Sequence, residues 1–193
     1  MGCVWVLRHG ESTANVEGVI VSAPGPRALV EVGLTPRGRG QAREAARAAQ
    51  EQGLGPGTVL IASDFARARE TAEEFATGLG AEPPRIDQRL RERGFGALEE
   101  GPASAYDGVW ARDRAREQPA DGVEPVGAVA ARVREAILAA DGVVRESGEG
   151  VVLVAHGDVL QIALALGAGM DPHDHRDVPH LGNAELRRLG GSR

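Results

Sequence analysis

The sequence contains no lysine: all 22 of its Lys+Arg positions, among 193 residues, are arginine. Without a lysine amine there is no Schiff base, no pyridoxal chemistry, no lysine general base and no phosphate loop of the lysine-ending kind. The positive charge that remains is planar, permanent and shaped to meet carboxylates and phosphates two hydrogen bonds at a time. Cysteine is nearly missing too. Cys3 stands alone, so no intrachain disulfide can form, and a cytoplasmic protein is expected. Aromatic residues make up 3%, which leaves Val, Leu and Ala to build the core from an apolar content of 42%. No run nears the roughly 18 apolar residues of a membrane span, and no signal-peptide pattern precedes the first apolar run. A net charge of −6 speaks against a nucleic-acid partner, whose backbone requires clustered positive charge. The length suits a single domain over residues 1–193, acting as a monomer or homodimer.

What is present is an alternation of short apolar runs and helical patterns. Residues 3–7, 58–62 and 151–155 are rich in Val, Leu or Ile and bounded by polar residues or glycine, as buried parallel strands are. Thr35 and Pro36 form an N-cap and first-turn proline for a helix running to Gly53. Ser63 or Asp64 can cap a second helix over 65–77 that stops at Gly78. A third helix is expected over 128–147, with Val129, Val133 and Ile137 on one face. A short apolar helix follows over 158–166, and residues 184–189 can form a last strand. The pattern predicts a three-layer α/β/α sandwich with a mainly parallel central sheet. Residues 94–125, rich in Gly, Pro and charge, read as an excursion with one helix over 106–116, lining or covering something outside the sheet.

In open parallel sheets, ligands bind beyond the carboxyl ends of the strands. There the first strand delivers Arg8, His9 and Gly10, the second delivers Ser63, Asp64 and then Arg67, and the third delivers His156 and Gly157. Each His-Gly is followed by an acid, Glu11 and Asp158, and each glycine leaves room for close backbone approach. Burying that much positive charge without an anion is costly, so a phosphate pocket is expected inside a net-negative chain. Arginine cannot give up a proton at neutral pH, so proton traffic falls to histidine or a carboxylate. An imidazole is the candidate to attack phosphorus, with Ser12, Ser63 and Cys3 as competitors. Glu11, Glu92, Glu99, Glu100 and Asp158 are the candidate acids for a leaving alkoxide.

The stretch from Leu7 to Ser12, with Asn15, resembles the Arg-His-Gly signature of the histidine phosphatase superfamily, also called phosphoglycerate-mutase-like proteins. Leu34-Thr35 with Gly38, Gln41 and Ala42, the Ser63 to Ala72 segment with Arg67, Leu90 to Gly96, and Val154 to Gly157 are similar to further family motifs in the same order. The resemblance implies that His9 is the nucleophile that becomes a phosphohistidine. It implies that Arg8, Arg67 and His156, with Asn15 and Gly157, bind the transferring phosphoryl group. It selects Glu92 as general acid and then base, with no cofactor and no metal.

Three departures bear on the branch. Gln161 stands where many relatives carry an arginine, Phe95 where mutases usually carry a tyrosine, and the lysine of a mutase site is missing. Arg112, Arg114 and Arg116 are spaced singly rather than paired. A phosphatase acting on a small phosphorylated metabolite is therefore expected ahead of a mutase. The cluster Asp171-Pro172-His173-Asp174-His175-Arg176-Asp177, with His180, offers the rival of a metal-dependent hydrolase. His180 can approach the pocket from beside the last strand. A non-catalytic phospho-ligand binder is the third alternative.

Overall fold

The computed structural model describes residues 3–190. Its sheet has the order β3-β2-β4-β1-β5, built from β1 (Val4–Arg8), β2 (Val59–Ala62), β3 (Arg85–Ile86), β4 (Val151–Ala155) and β5 (Leu186–Arg188). β1 pairs in parallel with β4, β4 with β2 and β2 with β3, while β5 closes the other edge antiparallel to β1. The pleat sends alternate residues to opposite faces. Along β4, Val151, Leu153 and Ala155 enter one core with Val129, Val133, Val159 and Ile162, from α5 (Val126–Ser147) and α6 (Gly157–Gly167). Val152 and Val154 enter the other, with Ala46, Ala72 and Phe75 from α2 (Pro36–Glu51) and α3 (Ala66–Leu79). Continuous apolar runs are what a sheet covered on both faces needs. The α/β architecture with a mostly parallel sheet flanked by helices is the one the sequence predicts.

Several boundaries differ, each for a physical reason. The first strand begins at Val4 and extends to Arg8, because Arg8 still pairs with Ala155. Neither Ser63 nor Asp64 caps α3. The cap position is Phe65, without a side-chain hydrogen bond, and the Ser63 hydroxyl is engaged elsewhere. Gly78 does not end α3, which continues to Leu79 and stops at Gly80 in the left-handed region, φ 69°. Gly78 serves packing instead: a Cβ there would stand 2.6 Å from the Ala46 methyl on α2. The third helix begins two residues earlier, at Val126 behind Pro125.

The one-turn α1 (Thr13–Glu17), a π-helical turn (Arg27–Glu31) and the edge strand β3 are additions to the predicted elements. They are too short for periodicity to mark. The excursion contains 3₁₀ turns and one helix, α4 (Tyr106–Arg114). It has a small core of its own, where Ile20, Phe95, Val109 and Val123 meet. Among the described residues no helix is long and apolar enough to cross a membrane.

Candidate active site

The strand ends and the excursion enclose a pocket of about 220 Å³. Arg8 and His9 lie at its floor, where β1 runs out. Arg8 shares the parity of Val4 and Val6 and so leans toward the start of α6, beside Gly157. Its Nη1 donates to Leu181 O at 2.7 Å and faces His180 Nε2 at 3.0 Å. His180 does approach the pocket. Burial pulls the Arg8 pKa down, against the nearby Glu92 charge.

His9 is 4% exposed, and its Nδ1 lies 2.7 Å from its neighbour's carbonyl, Gly10 O. A carbonyl only accepts, so Nδ1 carries the proton and Nε2 is the ring's basic atom, with no protein partner among the described residues. Burial, then Arg67 and Arg8, hold the His9 pKa well below the ordinary histidine value, which keeps the ring neutral. The tight turn after it requires glycine: a Cβ on Gly10 would stand 2.5 Å from Gly38 O at the start of α2.

Arg67, 4% exposed in the first turn of α3, donates from Nη2 to Val21 O at 2.8 Å. Asn15 lines the pocket from α1. Its Oδ1 accepts from Ser12 N, Ser12 Oγ and the Asn183 amide, so its own Nδ2 is the free donor. His156 is fully buried behind the pocket wall, with its ring centroid 5.3 Å from that of His9. Its Nε2 pairs with Ser63 Oγ at 3.0 Å, and Ser63 Oγ also accepts from Phe65 N. Three buried polar atoms of this cluster have no partner: Arg8 Nε, Arg67 Nη1 and His156 Nδ1. Buried polar atoms are nearly always satisfied; Arg8 and Arg67 line the pocket, where an anion's oxygens would satisfy their two, while His156 lies behind the wall.

Of the five candidate acids, Glu92 and Asp158 line the pocket. Glu11 accepts from Thr35 Oγ1, Glu99 from Ser22 and Glu100 from Arg27, all away from it. Burial, then the Asp158 charge, push the Glu92 pKa up to about 7, against Arg67, Arg8 and the Arg93 N–H. Asp158 accepts from Trp110 Nε1 at 2.8 Å and from the fully buried Arg93 at 3.4 Å, and Arg93 forks onto Asp113 at 2.6 and 2.9 Å.

The competing nucleophiles are separated from the pocket or lack a base. Cys3 lies at the opposite end of β1, where its carbonyl accepts from Val151 N. Ser12 lines the pocket, but its hydroxyl is tied to Asn15. Ser63 has the histidine partner that the sequence did not suggest, yet it is fully buried and does not reach the cavity. In the loop of the metal rival, Asp174 and Asp177 bind Arg116 and Arg114, while His175 turns its Nδ1 to Pro172 O. Among the described residues no group of three His, Cys, Asp or Glu is placed to hold a metal ion.

The excursion, expected to line or cover something, supplies Tyr106 and Trp110 to the upper wall, residues the sequence did not single out, and Arg176, which completes that wall, was missed. Tyr106 is the chain's one tyrosine, and it lies one helical turn before Trp110 in the excursion. That spacing was the available signal. For Arg176 there was none.

At its strand ends the α/β sandwich thus gathers a carbonyl-tethered histidine, the half-buried Arg8, the buried Arg67 and a carboxyl of raised pKa. The chain belongs to the histidine phosphatase superfamily, branch 1, whose family model matches residues 4–193. It is 30% identical to a probable phosphoglycerate mutase GpmB of Serratia proteamaculans, over 96% of this chain and 83% of that protein. Among solved structures it resembles the mycobacterial glucosyl-3-phosphoglycerate phosphatase Rv2419c with VO3, at TM-score 0.77 and 27% identity, covering 95% of this chain and 90% of that one. A structure called mycobacterial hydrolase 1 is as similar, at TM-score 0.77 and 27% identity, covering 95% and 86%.

Proposed function

We propose that the protein hydrolyses small phosphomonoesters through a phosphohistidine on His9. The observation that carries this reading is the Gly10 carbonyl on His9 Nδ1, which leaves a neutral Nε2 in a pocket lined by Arg8 and Arg67. Nε2 attacks phosphorus and the P–O ester bond breaks. Glu92 gives its proton to the leaving alkoxide. The Gly10 carbonyl supports the imidazolium character that develops on His9. Glu92, now a carboxylate, takes a proton from water, which attacks the phosphohistidine and releases phosphate. Arg8 Nε, Arg67 Nη1 and Asn15 Nδ2 hold the phosphoryl oxygens, His156 packs behind the His9 ring, and the Gly157 N–H opens α6 beside them. Permanent guanidinium charge meets the phosphoryl charge, so the reaction needs no metal.

The phosphatase reading is favoured over a mutase by the arginines of the excursion. Arg112, Arg114 and Arg116 pair with Glu117, Asp177 and Asp174 on the surface, and none lines the pocket. Rapid quenching during turnover of p-nitrophenyl phosphate should recover acid-labile, base-stable phosphate on His9. His9→Ala should show neither this adduct nor turnover, and EDTA should leave the wild-type rate unchanged. Turnover without the adduct, or loss of activity in EDTA, would overturn the reading.

A further inference from the structure

Arg176 does not belong to the phosphoryl cluster. It comes from the 3₁₀ segment Pro172–Asp177 and reaches the pocket on the side where α4 packs. Its Cζ lies 3.6 Å from the centroid of the Trp110 ring, its Nη1 donates to Gln161 Oε1, and Asp158 Oδ1 stands 4.0 Å away. These contacts fix a side chain that otherwise has much rotamer freedom. The guanidinium is held in place, yet its Nε and Nη2 have no acceptor among the described residues, and 22% of the side chain stays accessible.

The neighbouring aromatic wall does not offer a ring-binding surface. Tyr106 stacks on Trp110 at 5.3 Å and 10°, Arg176 lies over the same indole, and Nε1 already donates to Asp158. The indole has little free face and no free donor, so this wall presents the Arg176 guanidinium to the cavity. Its charge acts on both Arg8 and His180. The Asp158 carboxylate that faces Arg176 is shared with Arg93, and Asp113 already engages that arginine. A pocket with two arginines for one phosphoryl group thus has a third with open donors.

We propose that Arg176 determines specificity by receiving a second anionic group, a carboxylate or a further phosphate, on the leaving portion of the substrate. This rests on the phosphomonoesterase reading for the group at the other end. A pocket of about 220 Å³ keeps the two anionic groups only a few bonds apart. The Gln161 position, which lacks the arginine expected from the resemblance, has the complementary task of orienting Arg176 from the next segment of the chain.

Calorimetric titration with non-hydrolysable ligands tests this without requiring turnover. The probes are a short alkyl phosphonate ending in a carboxylate, its methyl ester, and the corresponding bisphosphonate. The wild-type protein should bind one of the two dianion-type probes at least about 10-fold more tightly than the ester. Whichever wins identifies the second group. In Arg176→Gln that ratio should fall to near one, common losses cancelling because both ligands share the phosphonate. If Arg176→Gln does not fold, Arg176→Lys should still cut the ratio at least about threefold, since an ammonium lacks the planar fork and the stack. No preference in the wild type, or a ratio that survives either substitution, overturns the proposal. Failure of the phosphohistidine experiment with this ratio intact would sink the hydrolase reading alone.

Discussion

Glu92 is held between opposing influences. Burial and the Asp158 carboxylate raise its pKa to about 7, while Arg67, Arg8 and the Arg93 N–H pull it down. Near neutrality both the protonated form and the carboxylate are accessible, as the proposed alternation between acid and base requires. Glu92→Gln should therefore lower kcat on an alkyl phosphate by about 10²–10⁴-fold, with inorganic phosphate still inhibiting within a few-fold of wild type. Full activity of that variant on an alkyl phosphate would remove Glu92 from the mechanism. The same shift has a stability consequence. The folded state holds the Glu92 proton up to about pH 7 and the unfolded state only to its ordinary value of 4.5, so ionisation costs stability as pH rises between them. Thermal melts at pH 8 should find Glu92→Gln a few degrees above wild type, with little difference at pH 4. His9 and His156 act in the opposite sense. Their pKa values are lowered by burial, so the unfolded chain gains protons first and stability falls as pH drops below about 6.5.

At the level of elements, the first residues of α6 do more than present His156. Asp158, in the first turn, joins Glu92 electrostatically, Trp110 of α4 by a hydrogen bond, and Arg93 by charge. Asp158→Asn removes a negative neighbour of Glu92 and leaves Arg93 less compensated, and both effects lower the Glu92 pKa. The alkaline limb of the pH–rate profile should move to lower pH in Asp158→Asn, and an unmoved limb would break the link. The helices also show how far local signals reach. Thr35 and Pro36 placed the start of α2 correctly, because cap and first-turn chemistry are local. The stop assigned to Gly78 failed because the same residue type serves close helix packing, and only the approach of Ala46 tells the two uses apart. Ser63 was misread as a cap for a similar reason: its hydroxyl is claimed by His156, just beyond β4 and far along the chain.

Across the whole molecule, one buried network ties the excursion to the sheet. Arg93 follows Glu92, Asp113 lies in the last turn of α4 and Asp158 in the first turn of α6, and all three are buried. Arg93→Met would leave two buried carboxylates without their cation and should cost about 3–5 kcal/mol in chemical denaturation. A loss well under 1 kcal/mol would mean that solvent reaches the network. The sequence by itself determined the sandwich and the residues that gather at its strand ends. Continuous apolar runs specify strands covered on both faces, and Arg8, His9, Arg67 and His156 follow strand ends at positions readable along the chain. The tertiary structure alone decided which nitrogen of His9 is free, why Glu92 rather than Glu11, Glu99 or Glu100 faces the pocket, and that Arg176 lies on Trp110. Element patterns are written in spacing between near neighbours. Protonation and pocket walls depend instead on burial and through-space distance, which bring together residues that the sequence keeps far apart.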